Sequence, residues 1–239
     1  MKTIRRGALL LAAALLSIGC RRPQERPAPP AQAAALRVAH ATGPIKPDGE
    51  ANEPDWNAIA TRTGHFVDAR GQEAIPYSEA RFMWDATNLY VYLYAADNDI
   101  LAHVKQHDGP VWIDDAFALH IRPATADGGV GPTYSFDVNP AGTVTDARVA
   151  PGGKPDVSWE SGIKLGVDLD GTLNDSTGQD DEEWVIEAAI PLASMGLAAA
   201  PGTRFYVDVG RCDTPRRTKE RRCGAWGTPG AQKLLELGP

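Results

Sequence analysis

The chain carries its most suggestive side chains in one loop, where Trp112, Ile113, Asp114 and Asp115 follow Gly109 and Pro110. An exposed indole stacks on the apolar C–H face of a pyranose, and carboxylates accept hydrogen bonds from its hydroxyls. Trp112, Asp114 and Asp115 therefore form a candidate sugar-contact group; the other use of Trp112 is to cover the edge of a sheet. Trp159, after the loop Gly152, Gly153, Lys154 and Pro155, and Tyr134 are further candidates for the same rim. Paired acids for glycoside hydrolysis must face each other across about 5 to 9.5 Å. Asp114 and Asp115 are adjacent, and adjacent strand residues point to opposite faces, so a solvated edge or a calcium site is their alternative use rather than such a pair. Asp168, Asp170, Asn174 and Asp175 around Gly171 offer several oxygen ligands within one turn, a candidate Ca2+ site. His103 and His107 have ligand-like spacing only on a helix, and no third ligand follows in a recognised pattern, so they read as solvated loop residues. The sequence holds no nucleophile elbow, phosphate loop or zinc-protease motif. Its chemistry points to binding, not to catalysis.

These residues must be held by strands. Arg81 to Asp85 leads through Thr87 and Asn88 into Leu89, Tyr90, Val91, Tyr92, Leu93 and Tyr94, and Phe117 to Ile121 forms the next apolar run. Aromatic and β-branched runs bounded by Asp, Asn, Gly and Pro are strand signals. Tyr134 to Val138 alternates and stops at the turn cluster Asn139, Pro140, Ala141, Gly142. Glu183 to Ile190 sets Trp184, Ile186, Ala188 and Ile190 on one face and Val185, Glu187 and Ala189 on the other, and burial of the first set is the simplest expectation. Phe205, Val207 and Val209 alternate likewise, and Leu192 to Leu197 is the best candidate for a short helical turn. Helix-length amphipathic windows are nearly absent. The expected fold is all-β: a two-sheet antiparallel β-sandwich, jelly-roll-like, in a single domain. Trp56, Trp84, Trp184 and Trp226 are expected in its core.

The ends bound the rest. Residues 1–19 combine basic Lys2, Arg5 and Arg6 with an apolar run from Ala8 to Leu16, the layout of a signal peptide. Leu16, Ser17, Ile18, Gly19 and Cys20 resemble a bacterial lipoprotein box, which implies lipidation of Cys20; Arg21 next to it implies the outer membrane of the cell envelope. Residues 20–35, rich in Pro and Ala, read as a tether, and residues 36–239 as the working domain. Losing Lys2, Arg5 and Arg6 with the signal moves the formal charge from −7 to −10. Such an acidic surface argues against nucleic acid, whose binding depends on phosphate neutralisation, and favours a neutral or cationic ligand. Of three cysteines, Cys20 is assigned to lipid, which leaves Cys212 and Cys223 as an expected disulfide in an exported chain.

An ordered set of short patterns resembles carbohydrate-binding module family 9, whose sandwich is shared with dopamine-monooxygenase N-terminal-like domains. The set runs from Ile45, Asp48, Gly49, Glu50, Asp55 and Trp56, through Trp84, Asp85, Asn88 and Asp97, to Trp112, Asp114, Asp115 and Phe117. It continues with Phe136, Val138, Asn139 and Gly142, then Trp184 to Pro191, and ends at Arg211, Asp213 and Trp226. The resemblance implies non-catalytic glycan binding, a link to polysaccharide catabolism beside a glycoside hydrolase, and Trp112 as one of two clamp tryptophans. The chain departs from the family at three places: Ala118 stands for a glutamate, Asp137 for an arginine, and no aromatic residue follows Trp226 to complete the clamp. Other relatives of the fold hold a b-type haem, for which Met83 or Met195 are the candidate axial ligands. A third use of the fold is a structural lipoprotein whose acidic face meets an envelope protein partner.

Overall fold

The computed structural model describes residues 34–175, 181–228 and 230–239. The signal, Cys20 and most of the tether lie outside the described residues. Among the described residues thirteen strands follow the order β1 Leu36–His40, β2 Thr61–Arg62, β3 Ser78–Trp84, β4 Asn88–Ala96, β5 Ala116–Pro123, β6 Thr133–Val138 and β7 Val144–Val149. After these come β8 Pro155–Asp156, β9 Lys164–Asp170, β10 Glu183–Pro191, β11 Arg204–Asp213, β12 Arg222–Ala225 and β13 Lys233–Leu237. One helical turn, α1 Asp55–Ala58, precedes β2, and a 3₁₀ turn at Leu192–Met195 fills the expected helical position.

The strands form an all-β sandwich. One layer runs β8-β7-β6-β5-β11-β13-β1 with β12 beside β11, and the other runs β1-β3-β4-β10-β9 with β2 beside β3. Pairing is antiparallel except at β1, which is parallel to both neighbours: Leu36 to Val38 match Leu235 to Leu237, and Ala39 and His40 match Met83 and Trp84. A single strand thus carries the sheet from one layer to the other.

Inward rings lock the layers. Phe117 of β5 meets Trp184 of β10 edge to face at 5.0 Å, and Phe82 of β3 stacks with Trp226 at 6.0 Å. Trp56, Trp84, Trp184 and Trp226 are all buried, as their patterns predict.

The two layers differ in their outer faces. In β6 and β11 burial alternates strictly, so each has one core face and one open face. In β10 every residue from Trp184 to Ile190 is buried, which corrects the one-sided expectation for that strand. The cover is the segment of residues 41–60, whose Ala41, Ile45 and Trp56 pack on Tyr90, Tyr92, Val185 and Ala189. Glu187, fully buried, anchors this cover: it accepts from Trp56 Nε1 at 2.6 Å and from the Gly49 and Ala51 amides at 2.9 and 3.2 Å. Gly49 has φ +96°, and a Cβ there would come within 2.5 Å of the β9 backbone, so the cover lies directly on the strand.

Candidate functional site

The uncovered outer face of the first layer bears a groove. Outward positions of β5, β6, β7 and β11 alternate with the core positions, which brings Ala116, Ala118 and His120 beside Thr133, Ser135 and Asp137 on one side and beside Asp208 and Gly210 on the other. The register sets Asp137, Ala118 and Gly210 in one row, and Ser135, His120 and Asp208 in the next. Two adjoining depressions of about 270 and 400 Å³ share Trp112, His120 and Asp137. Small residues form the floor, so a flat ligand can reach the sheet; Trp112, 53% exposed, stands at one wall.

Electrostatically the groove is a mixture of acid and imidazole. His120 Nδ1 lies 3.7 Å from Asp208 Oδ2. Burial pushes the Asp137 carboxyl above its ordinary range, and the nearby His120 partly offsets that rise. These three side chains can donate and accept hydrogen bonds to hydroxyls, and none is a nucleophile poised against a base.

Trp112 is held from behind. It opens into a 3₁₀ turn, Val111–Ile113, and its carbonyl accepts from the Arg221 guanidinium, which also reaches the Asp114 carbonyl at 3.5 Å and Thr214 Oγ1 at 3.2 Å. Arg221 belongs to the loop closed by the Cys212–Cys223 disulfide, a directly opposed pair on β11 and β12. The disulfide therefore fixes the strap that fixes the tryptophan.

Asp114 and Asp115 hold this loop rather than line the groove. Both are buried: Asp114 Oδ2 accepts from the Val104 amide and Asn139 Nδ2, each at 2.9 Å. Asp115 accepts from the Leu101 and Thr214 amides at 2.7 and 3.0 Å. Burial, joined by the Asp97 charge, pushes its carboxyl up to about 7 against those two donors. Tyr134 and Trp159 lie on the other face of β6, ring to ring at 4.9 Å and packed with Phe136 against the core. The alternation that turns Thr133, Ser135 and Asp137 outward turns Tyr134 inward, so Tyr134 and Trp159 are absent from the groove lining.

The proposed calcium ligands each have a definite setting. Asp168 and Asp170 are exposed on one face of β9. Asn174 exchanges both amide groups with the Ala102 backbone, and Asp175 accepts from Arg216 at 3.2 Å. Met83 and Met195, the haem candidates, are fully buried in different apolar clusters.

Solved structures share the fold on which this groove is built. A candidate carbohydrate-binding protein from Bacteroides uniformis superposes with a TM-score of 0.60 at 14% identity, over 85% of this chain and 98% of its own. A carbohydrate-binding module family 9 from Caldicellulosiruptor kristjanssonii, in complex with cellotriose, gives 0.55 at 14% identity over 86% of this chain and 94% of its own. The fold is that of a family 9 carbohydrate-binding module. The glucose complex of a family 9 module from the same organism gives 0.52 at 13% identity over 86% and 97% of the two chains. No protein-family model and no curated protein matches the sequence.

Within the family 9 fold, the three sequence departures meet in the groove. Ala118 and Asp137 are direct cross-strand partners, and Gly230 lines the same depression. The groove thus has one aromatic wall, a floor of small residues and an acidic edge. His120 and Asp208 also belong to this edge, although neither stands out in the sequence: they are 88 positions apart and become neighbours only through the β5–β11 register. The available signal was the clean alternation of β5, β6 and β11, which leaves their polar and small residues on one uncovered face.

Proposed function

We propose that this domain binds a glycan non-catalytically on the outer face of the first layer, with Trp112 as a one-sided stacking platform. The observation that carries the reading is the exposed Trp112 ring standing over a groove floored by Ala118 and Gly210 and edged by His120, Asp137 and Asp208. Small floor residues admit a pyranose, the ring supplies the stacking face, and the polar side chains reach its hydroxyls. The sugar complexes of the structural neighbours support the same ligand class. With a single wall, the groove is open along its length and suits a chain of sugars better than an enclosed terminal residue.

Calorimetry of the purified protein against a panel of mono- and oligosaccharides tests this. Saturable heat that disappears in Trp112→Ala is expected; a blank panel overturns the reading. The N-terminal pattern supports a lipid-anchored protein of the bacterial envelope that retains polysaccharide near an associated glycoside hydrolase. Metabolic labelling with a radiolabelled fatty acid should mark the wild type and not Cys20→Ser, and an unlabelled wild type would remove the anchor.

A further inference from the structure

One cluster beside the groove is not explained by glycan binding. His107, in the loop before Gly109, places Nε2 3.2 Å from Glu160 Oε2, 3.7 Å from Asp108 Oδ1 and 3.7 Å from Asp146 Oδ1. The ligand atoms of His107, Asp108 and Glu160 all lie within 4.8 Å of one another. Three carboxylates from three segments converge on one imidazole nitrogen. Two of those oxygens have no hydrogen-bond donor among the described residues. Asp146 is 1% exposed; its Oδ2 accepts from the Ser161 amide at 2.8 Å, while its Oδ1 is buried and without a hydrogen-bond partner. Asp108 Oδ1 is in the same condition.

A buried carboxylate oxygen without a donor is costly, and its retention calls for a positive partner. A protonated His107 would supply one Nε2–H for one acceptor, and 3.7 Å is too long for a hydrogen bond to either aspartate. A metal ion at the centre neutralises all three at once. Tetrahedral Zn2+ with ligand bonds of about 2.1 Å has ligand-to-ligand edges of about 3.4 Å, close to the separations around Nε2. The imidazole decides the class of ion. Ca2+ and Mg2+ take oxygen ligands, whereas mixed imidazole and carboxylate donors suit first-row divalent ions such as Zn2+.

We propose that His107, Asp108, Asp146 and Glu160 form a binding site for a divalent first-row transition-metal ion of the Zn2+ type. The ion ties the loop of residues 103–110 to β7 and to the segment after β8. Asp108 is already bonded to β7 through its amide and the Val144 carbonyl at 3.0 Å, and Thr145 Oγ1 donates to the Gly109 carbonyl. The site thus clamps the stretch of chain that leads into Trp112, and it stands independently of what the groove binds.

The test is titration of the chelator-stripped full chain, in detergent, with Zn2+ alone and with Ca2+ alone. One Zn2+ per chain is expected, with affinity at least tenfold weaker in His107→Gln and in Asp146→Asn, and unchanged in His103→Gln. Zn2+ should also raise the melting temperature of the wild type and not that of His107→Gln. The His107 side chain is half exposed, so this variant remains decisive if Asp146→Asn fails to fold. No stoichiometric Zn2+ binding, binding of Ca2+ in its place, or wild-type affinity in His107→Gln would overturn the site.

Discussion

The two outer faces of this sandwich have been given opposite treatment by the same chain. On the second layer, residues 41–60 cover β4 and β10, and a fully buried Glu187 fastens Trp56 and two backbone amides beneath them. On the first layer the outward residues Ala118, His120, Ser135, Asp137, Asp208 and Gly210, all small or polar, are only partly buried. A bare sheet face is ordinarily a liability unless it is charged or used. The covered face shows that the chain can seal a sheet; the open one is consequently the place to look for a ligand.

Substitutions should separate the faces. The largest effect is expected on the sealed side: Trp56→Ala removes a fully buried ring and frees Glu187, at a cost of about 3–5 kcal/mol in chemical denaturation. Sugar affinity of the folded fraction should stay as it was, and a parallel loss would show that the faces are coupled. Next is the disulfide. Replacing Cys212 and Cys223 by serine opens an 11-residue separation and should cost about 2–4 kcal/mol. Because Arg221 lies inside that loop and holds the Trp112 carbonyl, sugar affinity should fall several-fold as well, a double effect that Trp56→Ala lacks.

Asp115 lies behind the open face, and its effect depends on pH. Its carboxyl titrates at about 7 in the folded protein, against about 3.9 in an unfolded chain. The folded state therefore holds the extra proton, and this contribution is complete below about pH 4 and lost as the pH rises to 7. Asp115→Asn should flatten that fall, which is on the order of 4 kcal/mol, in denaturation curves taken from pH 4 to 8. Identical slopes would mean that the carboxylate is ionised throughout. The smallest change in stability belongs to Trp112→Ala, within about 0.5 kcal/mol because the ring is exposed. Its affinity change should nonetheless reach tenfold, about 1.4 kcal/mol. A stability loss comparable to that of Trp56→Ala would make Trp112 a packing residue and end the contrast between the faces.

The contrast also separates what can be read from the sequence from what cannot. Strand positions were readable where Leu89 to Tyr94, Tyr134 to Val138 and Phe205 to Val209 carry β-type residues bounded by turn formers, but not for β1, β7, β12 and β13, which show no such pattern. The faces were readable only where one was bare. Val185, Glu187 and Ala189 look like an outward row until residues more than a hundred positions earlier fold over them. Trp112 was identifiable by its residue type and loop setting. Asp114 and Asp115, equally conspicuous, turned out to brace the loop, since a carboxylate satisfies backbone amides as readily as a ligand. His120 and Asp208 at the groove edge, and the convergence on His107, depend on register between strands distant in sequence. No local pattern encodes such a meeting.

Strand β1 has a mechanical consequence. Its residues are hydrogen-bonded in parallel to β13 on one side and to β3 on the other. A pull on the chain ahead of Leu36 is directed along the strand, across those bonds, and so loads the rungs of both ladders together instead of opening them one at a time. Under such a pull the load would fall on a shear joint shared by both layers, while the groove is built on β5, β6 and β11, strands that make no pairing with β1.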